Sequence, residues 1–273
     1  MADSIVDAVV LITGAGQGIG ADVARKLVAR GARVALVDRV ADTVDALAAE
    51  LGGASAAFVA DVSDEAAITA AVAAAAEHFG RLDVVVANAG VMDPSATVAQ
   101  TTSKQFARLL EVNVLGVFHT VHAALPYLAE SRGYVLCVSS VAGLVPVPTI
   151  ASYVASKHAV DGFARSLRIE LAPTGIAVGV AYFGVIDTPM AHNAIAHVAD
   201  IWAAMPGPIG RPAPVDAAGK AIVEGIARRS SSVYAPSWLA GALATTRGAA
   251  GIYEKVSGLH PAVRALVRGK GNN

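Results

Sequence analysis

Three residues near the middle of this chain, Ser140, Tyr153 and Lys157, have types and spacings suited to moving a proton, and a glycine-rich stretch near its start is suited to holding a phosphate. That stretch reads Thr13-Gly14-Ala15-Gly16-Gln17-Gly18-Ile19-Gly20. A glycine turn between a strand and a helix offers backbone N–H groups and the positive end of the helix dipole to a dinucleotide phosphate. Gly14 and Gly16 permit the tight turn, Gly18 lets the backbone approach a pyrophosphate, and Gly20 allows the helix to pack closely on the strand. The common dinucleotide fingerprint needs glycine at position 19, where Ile19 stands, so the pattern is Thr-Gly-x-x-x-Gly-Ile-Gly. The next expected strand ends Ala35-Leu36-Val37-Asp38 and puts Asp38 at the roughly 20-residue offset where an acid hydrogen-bonds a ribose 2′-hydroxyl. A carboxylate there repels a 2′-phosphate, so NAD is expected over NADP. Arg39 follows and can accept a phosphate, but Gln17 supplies no second positive charge.

Hydride transfer between a nicotinamide and a carbonyl carbon also needs a proton at oxygen. Tyrosine, with a pKa of about 10, is a poor donor unless a nearby positive charge favours its phenolate. Tyr153 and Lys157 stand four apart, on one face of an expected helix, where they can address the same ligand if Ser152 caps that helix. A surface pair is the plain alternative for such a spacing taken alone. Ser140 ends an expected strand and is suited to steadying charge on a substrate oxygen, with Ser139 as the competing assignment on the opposite face. Together these residues suggest an oxidoreductase.

The elements that must position them follow from periodicity. Short β-branched runs alternate with alanine-rich amphipathic segments, the pattern of a parallel sheet covered by helices on both faces. Strands are expected at Ala8 to Ile12, Arg33 to Val37, Ala56 to Ala60, Val84 to Ala87, Tyr134 to Val138, Ala177 to Ala181 and Ser232 to Tyr234. Helices are expected at Ile19 to Ala29, Ala41 to Leu51, Glu65 to Phe79, Lys104 to His119, Ser152 to Leu171 and Ala213 to Ala227. The fold class is α/β: a Rossmann-like, doubly wound, seven-stranded parallel sheet in three layers, with a C-terminal helical extension.

Composition excludes several other functions. The 273 residues, 55% hydrophobic, are enough for one large core, read as a single domain over residues 1–236 with an extension over 237–273. A net charge of -1 from dispersed residues provides no basic stripe for nucleic acid. Cys137, the one cysteine, lies in the apolar run Tyr134-Val135-Leu136-Cys137-Val138 and reads as a small buried hydrophobe, in keeping with a reducing cytoplasm. No export signal and no transmembrane span are expected. His78, His119, His122, His158 and His192 show no ligand spacing with carboxylates or thiols, so no metal site is expected.

With the glycine loop, the Ala87-Asn88-Ala89-Gly90 segment, the serine and Tyr153-Val154-Ala155-Ser156-Lys157 all in order, the chain resembles the short-chain dehydrogenase/reductase family over about residues 6–235. The glycine pattern looks like that family's shorter oxidoreductase branch. The resemblance implies Tyr153 as acid/base, Lys157 as the group that lowers its pKa and binds ribose, Ser140 at the substrate oxygen, and Asn113 in a water-linked proton relay. A backbone-satisfied helix asparagine is the plain alternative for Asn113. It further implies Asp61 and Val62 at the adenine, Asn88 and Gly90 along the cofactor cleft, and Thr188 at the nicotinamide amide. Gln17, Ile19, Ala89, Gly184 and Ile186 fall at further cofactor-contact positions. A small alcohol or ketone as substrate and a homodimer or homotetramer through the fourth and fifth helices are also implied.

Departures from the family pattern bear on the substrate. Relatives carry Pro-Gly where this chain has Phe183-Gly184, and Phe183 is expected to fill the core rather than touch the nicotinamide. The substrate-covering loop, about residues 188–212, includes Trp202 and Met205, suited to an apolar substrate such as a steroid, terpenoid or lipid-derived compound. The extension interleaves Trp238, Leu239, Leu243, Ile252 and Tyr253 with Arg247, Lys255, Arg264 and Arg268, which suits docking on a neighbour, covering the site, or peripheral membrane contact. A lyase or epimerase on the same fold is disfavoured because Gln17 breaks the Thr-Gly-x-x-Gly-x-x-Gly pattern. A non-catalytic dinucleotide sensor is disfavoured because both Tyr153 and Lys157 are kept.

Overall fold

Apolar β-branched runs buried on both faces build the centre of the molecule. The computed structural model describes residues 5–145, 147, 149–195 and 211–241. Seven strands form one parallel sheet in the order β3-β2-β1-β4-β5-β6-β7: β1 Val9–Thr13, β2 Arg33–Asp38, β3 Ser55–Val59, β4 Val84–Ala87, β5 Tyr134–Val138, β6 Ala177–Phe183 and β7 Ser232–Ala235. The order reverses between β1 and β4, which pair from Val10↔Val84 to Ile12↔Val86. Such a switch point opens a crevice at the carboxyl ends of the strands.

Alternation along each strand divides the core in two. Val10, Ile12, Leu36 and Val86 face one layer, while Val9, Leu11, Val37 and Val85 face the other. The first layer holds α1 (Gly18–Ala29), α2 (Ala41–Leu51) and α8 (Val215–Arg228), and α1 lies against α8. The second holds α3 (Glu65–Phe79), α5 (Gly116–Ser131) and α6 (Ala151–Leu171). Cys137 is fully buried in this layer, and desolvation pushes its thiol up to about 12, so it behaves as an inert hydrophobe. Phe183 is buried in the first layer, as expected.

Four details depart from the sequence reading. The expected helix from Lys104 to His119 is instead α4 (Ser103–Leu110), a π-helical turn at Glu111–Leu115, and α5, which continues to Ser131 past Pro126. The wide turn forms where the Asn113 side chain is drawn inward by tertiary partners, which periodicity does not reveal. This run, Ser103–Ser131, is by length and composition able to cross a membrane, although α5 packs on α3 and β4. A seventh helix, α7 (Pro189–Ile195), opens the segment read as loop. Helix α8 starts at Val215 rather than Ala213, because Pro214 disfavours helix in the residue before it and Ala213 instead bridges to Ile186. Ser152 does not cap α6: the N-cap is Ile150, and Ser152 lies inside the first turn. Trp202, Met205 and the extension from residue 242 lie outside the described residues.

Candidate active site

The glycine loop follows β1 directly. Gly14 and Gly18 take φ values of +66° and +56°, where a side chain is strained, and a Cβ at Gly20 would overlap the Gly14 carbonyl. α1 starts with an extended Gln17 that offers no side-chain cap, and no acidic residue occupies its first turn. Its opening amides and positive dipole end are therefore left for an anion. Ile19 packs partly buried against the first core layer. Thr188 closes the loop from across the sheet, its Cγ2 3.6 Å from where a Gly18 Cβ would stand.

Asp38 ends β2 beside this loop. Its Oδ2 accepts from the Gly16 N–H at 2.9 Å and its Oδ1 from the Val40 N–H at 3.1 Å. The carboxylate is thus pre-aimed at the loop, where a ribose would pass. Arg39 extends outward to Asp61 at 3.9 Å. Burial works against ionisation of Asp61, but hydrogen bonds from Ser63 Oγ at 2.7 Å and Ser63 N at 2.9 Å, with the Arg39 charge, hold its pKa below the ordinary value. Val62 turns its side chain into the core against Gly116, and its carbonyl meets His119 Nδ1 at 3.1 Å.

At the switch point, Asn88 is a brace. Its Nδ2 donates to Thr13 O at 2.9 Å and Gly14 O at 3.3 Å, while the Asn88 and Ala89 N–H groups both donate to Thr13 Oγ1 at 3.1 Å. Thr13, which the sequence showed only as the first letter of a motif, ties the ends of β1 and β4 together. Gly90 follows, and a Cβ there would lie 3.2 Å from Asn113 Oδ1 and 3.5 Å from Lys157 Nζ. A larger residue would push into the space between them.

Asn113, fully buried in the π turn, is committed to neighbours: Oδ1 accepts from Val91 N at 2.7 Å, and Nδ2 donates to Val91 O at 2.9 Å and Ser156 Oγ at 3.0 Å. Ser156 in turn donates to Tyr153 O at 2.8 Å. Sequence reasoning passed over Ser156 although it stands inside the Tyr153 to Lys157 motif.

The two serines after β5 divide as their facing predicts. Ser139 is buried and donates to Lys157 O at 2.9 Å. Ser140 accepts from Ala142 N at 3.1 Å, donates to Phe183 O at 3.2 Å, and also hydrogen-bonds the Tyr153 phenol. Lys157 is 4% exposed and donates from Nζ to Val138 O at 3.0 Å, with Nζ 5.6 Å from the centroid of the Tyr153 ring. Its pKa is lowered to about 8 by desolvation, which leaves it an ammonium at neutral pH. The half-buried Tyr153 is not lowered as expected: desolvation around the phenol pushes it up to about 12, against the Ser140 hydrogen bond. Two groups enclosed in the same low-dielectric corner each resist charge, and the ammonium here does not offset that. Tyr153 lines a small cleft, partly open to solvent, with Leu109, Thr149 and Ile150. Gly184 donates to Ala235 O at 2.9 Å, and Thr188 Oγ1 accepts from Ala191 N at 3.2 Å, so the chain beyond β6 is pinned before α7. Among the described residues, no group of three histidines, cysteines or carboxylates is arranged to hold a metal.

The chain matches the family model described as short chain dehydrogenase over residues 8–199. It is 40% identical to 2-(R)-hydroxypropyl-CoM dehydrogenase of Xanthobacter autotrophicus, over 67% of this chain and 76% of that one. It is 36% identical to 3-alpha-(or 20-beta)-hydroxysteroid dehydrogenase of Mycobacterium bovis, over 70% and 73%. The crystal structure of 3-ketoacyl-(acyl-carrier-protein) reductase from Brucella melitensis, complexed with NADH, superposes with a TM-score of 0.78 at 31% identity, covering 85% of this chain and 98% of the other. A glycine loop under an open helix start, a strand-end carboxylate, and a tyrosine beside a buried lysine thus stand on a sheet shared with oxidoreductases, and the chain belongs to the short-chain dehydrogenase family.

Proposed function

We propose that this protein interconverts a secondary alcohol and a ketone, with NAD as the hydride carrier. The observation that carries the reading is the Tyr153 phenol, hydrogen-bonded to Ser140 and set beside the buried Lys157 ammonium, on the wall of a small cleft. The loop from Gly14 to Gly20 fits a pyrophosphate, and Asp38 fits a ribose 2′-hydroxyl better than a phosphate. When bound, NADH would supply the hydride for reduction and NAD⁺ would accept it in oxidation.

The chain's own groups supply the proton. In the reducing direction Tyr153, protonated at neutral pH, passes its phenolic proton to the carbonyl oxygen, and the negative charge left behind rests on the phenolate. Lys157 stabilises that phenolate through its charge. Ser140 shifts its hydroxyl proton from Phe183 O toward the substrate oxygen as charge develops there. In the oxidising direction the same proton returns to Tyr153. Asn113 acts in the proposed relay by fixing Val91 and Ser156 around Lys157, so that a water chain finds a constant path.

The reading also includes a single domain through residue 236, a substrate-covering segment over 188–212 that suits a lipophilic body, and a reducing cytoplasm. It includes a homodimer or homotetramer, supported by Phe106, Leu115 and Phe118 exposed along the Ser103–Ser131 run that contains the expected fourth helix, which sedimentation reads directly. The reading as a whole is tested by following reduced nicotinamide absorbance with NAD⁺ and secondary alcohols, comparing wild type with Tyr153→Phe. Turnover lost in the variant supports it.

A further inference from the structure

Three consecutive residues at the end of β5 meet the two α6 residues of the proposed proton transfer. Val138 O accepts from Lys157 Nζ at 3.0 Å, Ser139 Oγ donates to Lys157 O at 2.9 Å, and Ser140 hydrogen-bonds the Tyr153 phenol. Lys157 is therefore held at both ends, side chain and main chain, by neighbouring residues of one strand. Val138 and Ser140 reach the ammonium and the phenol themselves, whereas Ser139 reaches only a backbone carbonyl.

Ser139 stands on a rigid base. Its own N–H donates to Ala181 O at 2.9 Å, extending the pairing of β5 with β6 by one residue, so the hydroxyl is carried by the sheet rather than by a loop. Ser139 is 3% exposed, and the turn after Ser140 closes over it: a Cβ at Gly143 would overlap both Ser139 Oγ and the Lys157 carbonyl. Lys157 O lies inside α6, where a helical carbonyl already accepts from the amide four residues on. A second donor is not needed to satisfy that carbonyl. What it adds is a fixed separation between this turn of α6 and the end of β5, the kind of support that holds reacting groups in register.

We infer that Ser139 is a positioning residue: its hydroxyl fixes the Lys157 main chain against β5 and thereby sets the approach of the Lys157 ammonium to the Tyr153 phenol. This rests on the alcohol–ketone reading and deepens it, giving the serine that does not face the substrate oxygen a part in the same site. Without the hydroxyl the turn is free to draw back from the strand, Nζ leaves Val138 O, and water reaches the ammonium. The titratable groups that bear on that ammonium are Tyr153 on α6 and Cys137 on β5.

Ser139→Thr and Ser139→Val separate the hydroxyl from the space it fills, because the two side chains have nearly the same size and share whatever strain the extra methyl brings. Ser139→Ala, which adds no atom, takes the place of the valine variant and is compared with wild type if the pair does not fold. The first readout needs no substrate: the titration of Lys157 followed by NMR with isotope-labelled lysine and assigned by its loss in Lys157→Met. Wild type and Ser139→Thr are expected to titrate at about 8, and Ser139→Val above that, toward the ordinary 10.5, as desolvation of the ammonium eases. The second readout is turnover of a secondary alcohol with NAD⁺, in which Ser139→Val is expected to fall about tenfold below Ser139→Thr in kcat while the two bind NADH equally. A Lys157 titration alike in the two variants, equal kcat, or a difference confined to denaturant unfolding would overturn the inference. The alcohol–ketone reading fails separately, if Tyr153→Phe keeps wild-type turnover, and the Lys157 titration is read whichever way that falls.

Discussion

Asp38 shows how one side chain can shape the loop and, on the proposed function, also select its ligand. By accepting from the Gly16 N–H it holds the glycine turn in shape, and by standing at the end of β2 it offers negative charge where a 2′-phosphate would lie. Removing it should weaken the turn and the discrimination together. Asp38→Ala is expected to raise the KM for NAD⁺ about tenfold and to narrow the preference for NAD⁺ over NADP⁺, as read from initial rates with each cofactor. An unchanged ratio would assign the discrimination elsewhere. The identity of these residues was legible from the sequence because loop, carboxylate, serine, tyrosine and lysine stand at recognisable spacings. The sign of the Tyr153 shift was not legible, since it depends on how many protein atoms enclose the phenol, and that depends on residues far away in the chain.

Elements matter here through how closely they approach one another. α1 begins so near the end of β1 that Gly20 has no room for a methyl group against the Gly14 carbonyl, and Asn88 Nδ2 lies 2.9 Å from the same point. Gly20→Ala must therefore push the helix start away from the loop whose amides are proposed to meet the phosphate. Its expected cost is about 1–3 kcal/mol of stability, measured by denaturant unfolding, together with weakened NADH binding. Stability and binding both equal to wild type would show that the helix start shifts freely. The seven strands and most helices were readable to within two residues or so, since their apolar runs are buried by the sheet itself. The π turn was not, because it follows from Asn113 reaching Val91 and Ser156 across the fold. α6, which presents Tyr153 and Lys157, is further tied to β6 by a hydrogen bond from Tyr182 to the buried Asp161.

At the scale of the whole molecule, the buried Lys157 is a stability liability with a defined pH window. Lys157 has a pKa near 8 in the folded chain against the ordinary lysine value of 10.5, so the unfolded chain binds more protons between these values. Folding stability from this group rises as pH climbs from about 8 toward 10.5, by up to about 3 kcal/mol. Cys137 acts oppositely: raised from 9.0 to about 12, it favours the unfolded chain above pH 9, and the buried Tyr134 and half-buried Tyr153 do so above pH 10. The wild type should therefore gain stability between pH 8 and 9 relative to Lys157→Met, measured by denaturant unfolding without cofactor. Parallel curves for the two proteins would mean that the lysine is not desolvated as the packing indicates.

The central claim is that Tyr153 exchanges the proton that accompanies hydride transfer, and its most direct test is turnover by wild type and Tyr153→Phe with NAD⁺ and secondary alcohols, with NADH binding measured on both. The variant should bind NADH like the wild type and lose about 10²–10⁴-fold in kcat/KM. A variant that binds NADH and turns over alcohol at the wild-type rate would contradict the account.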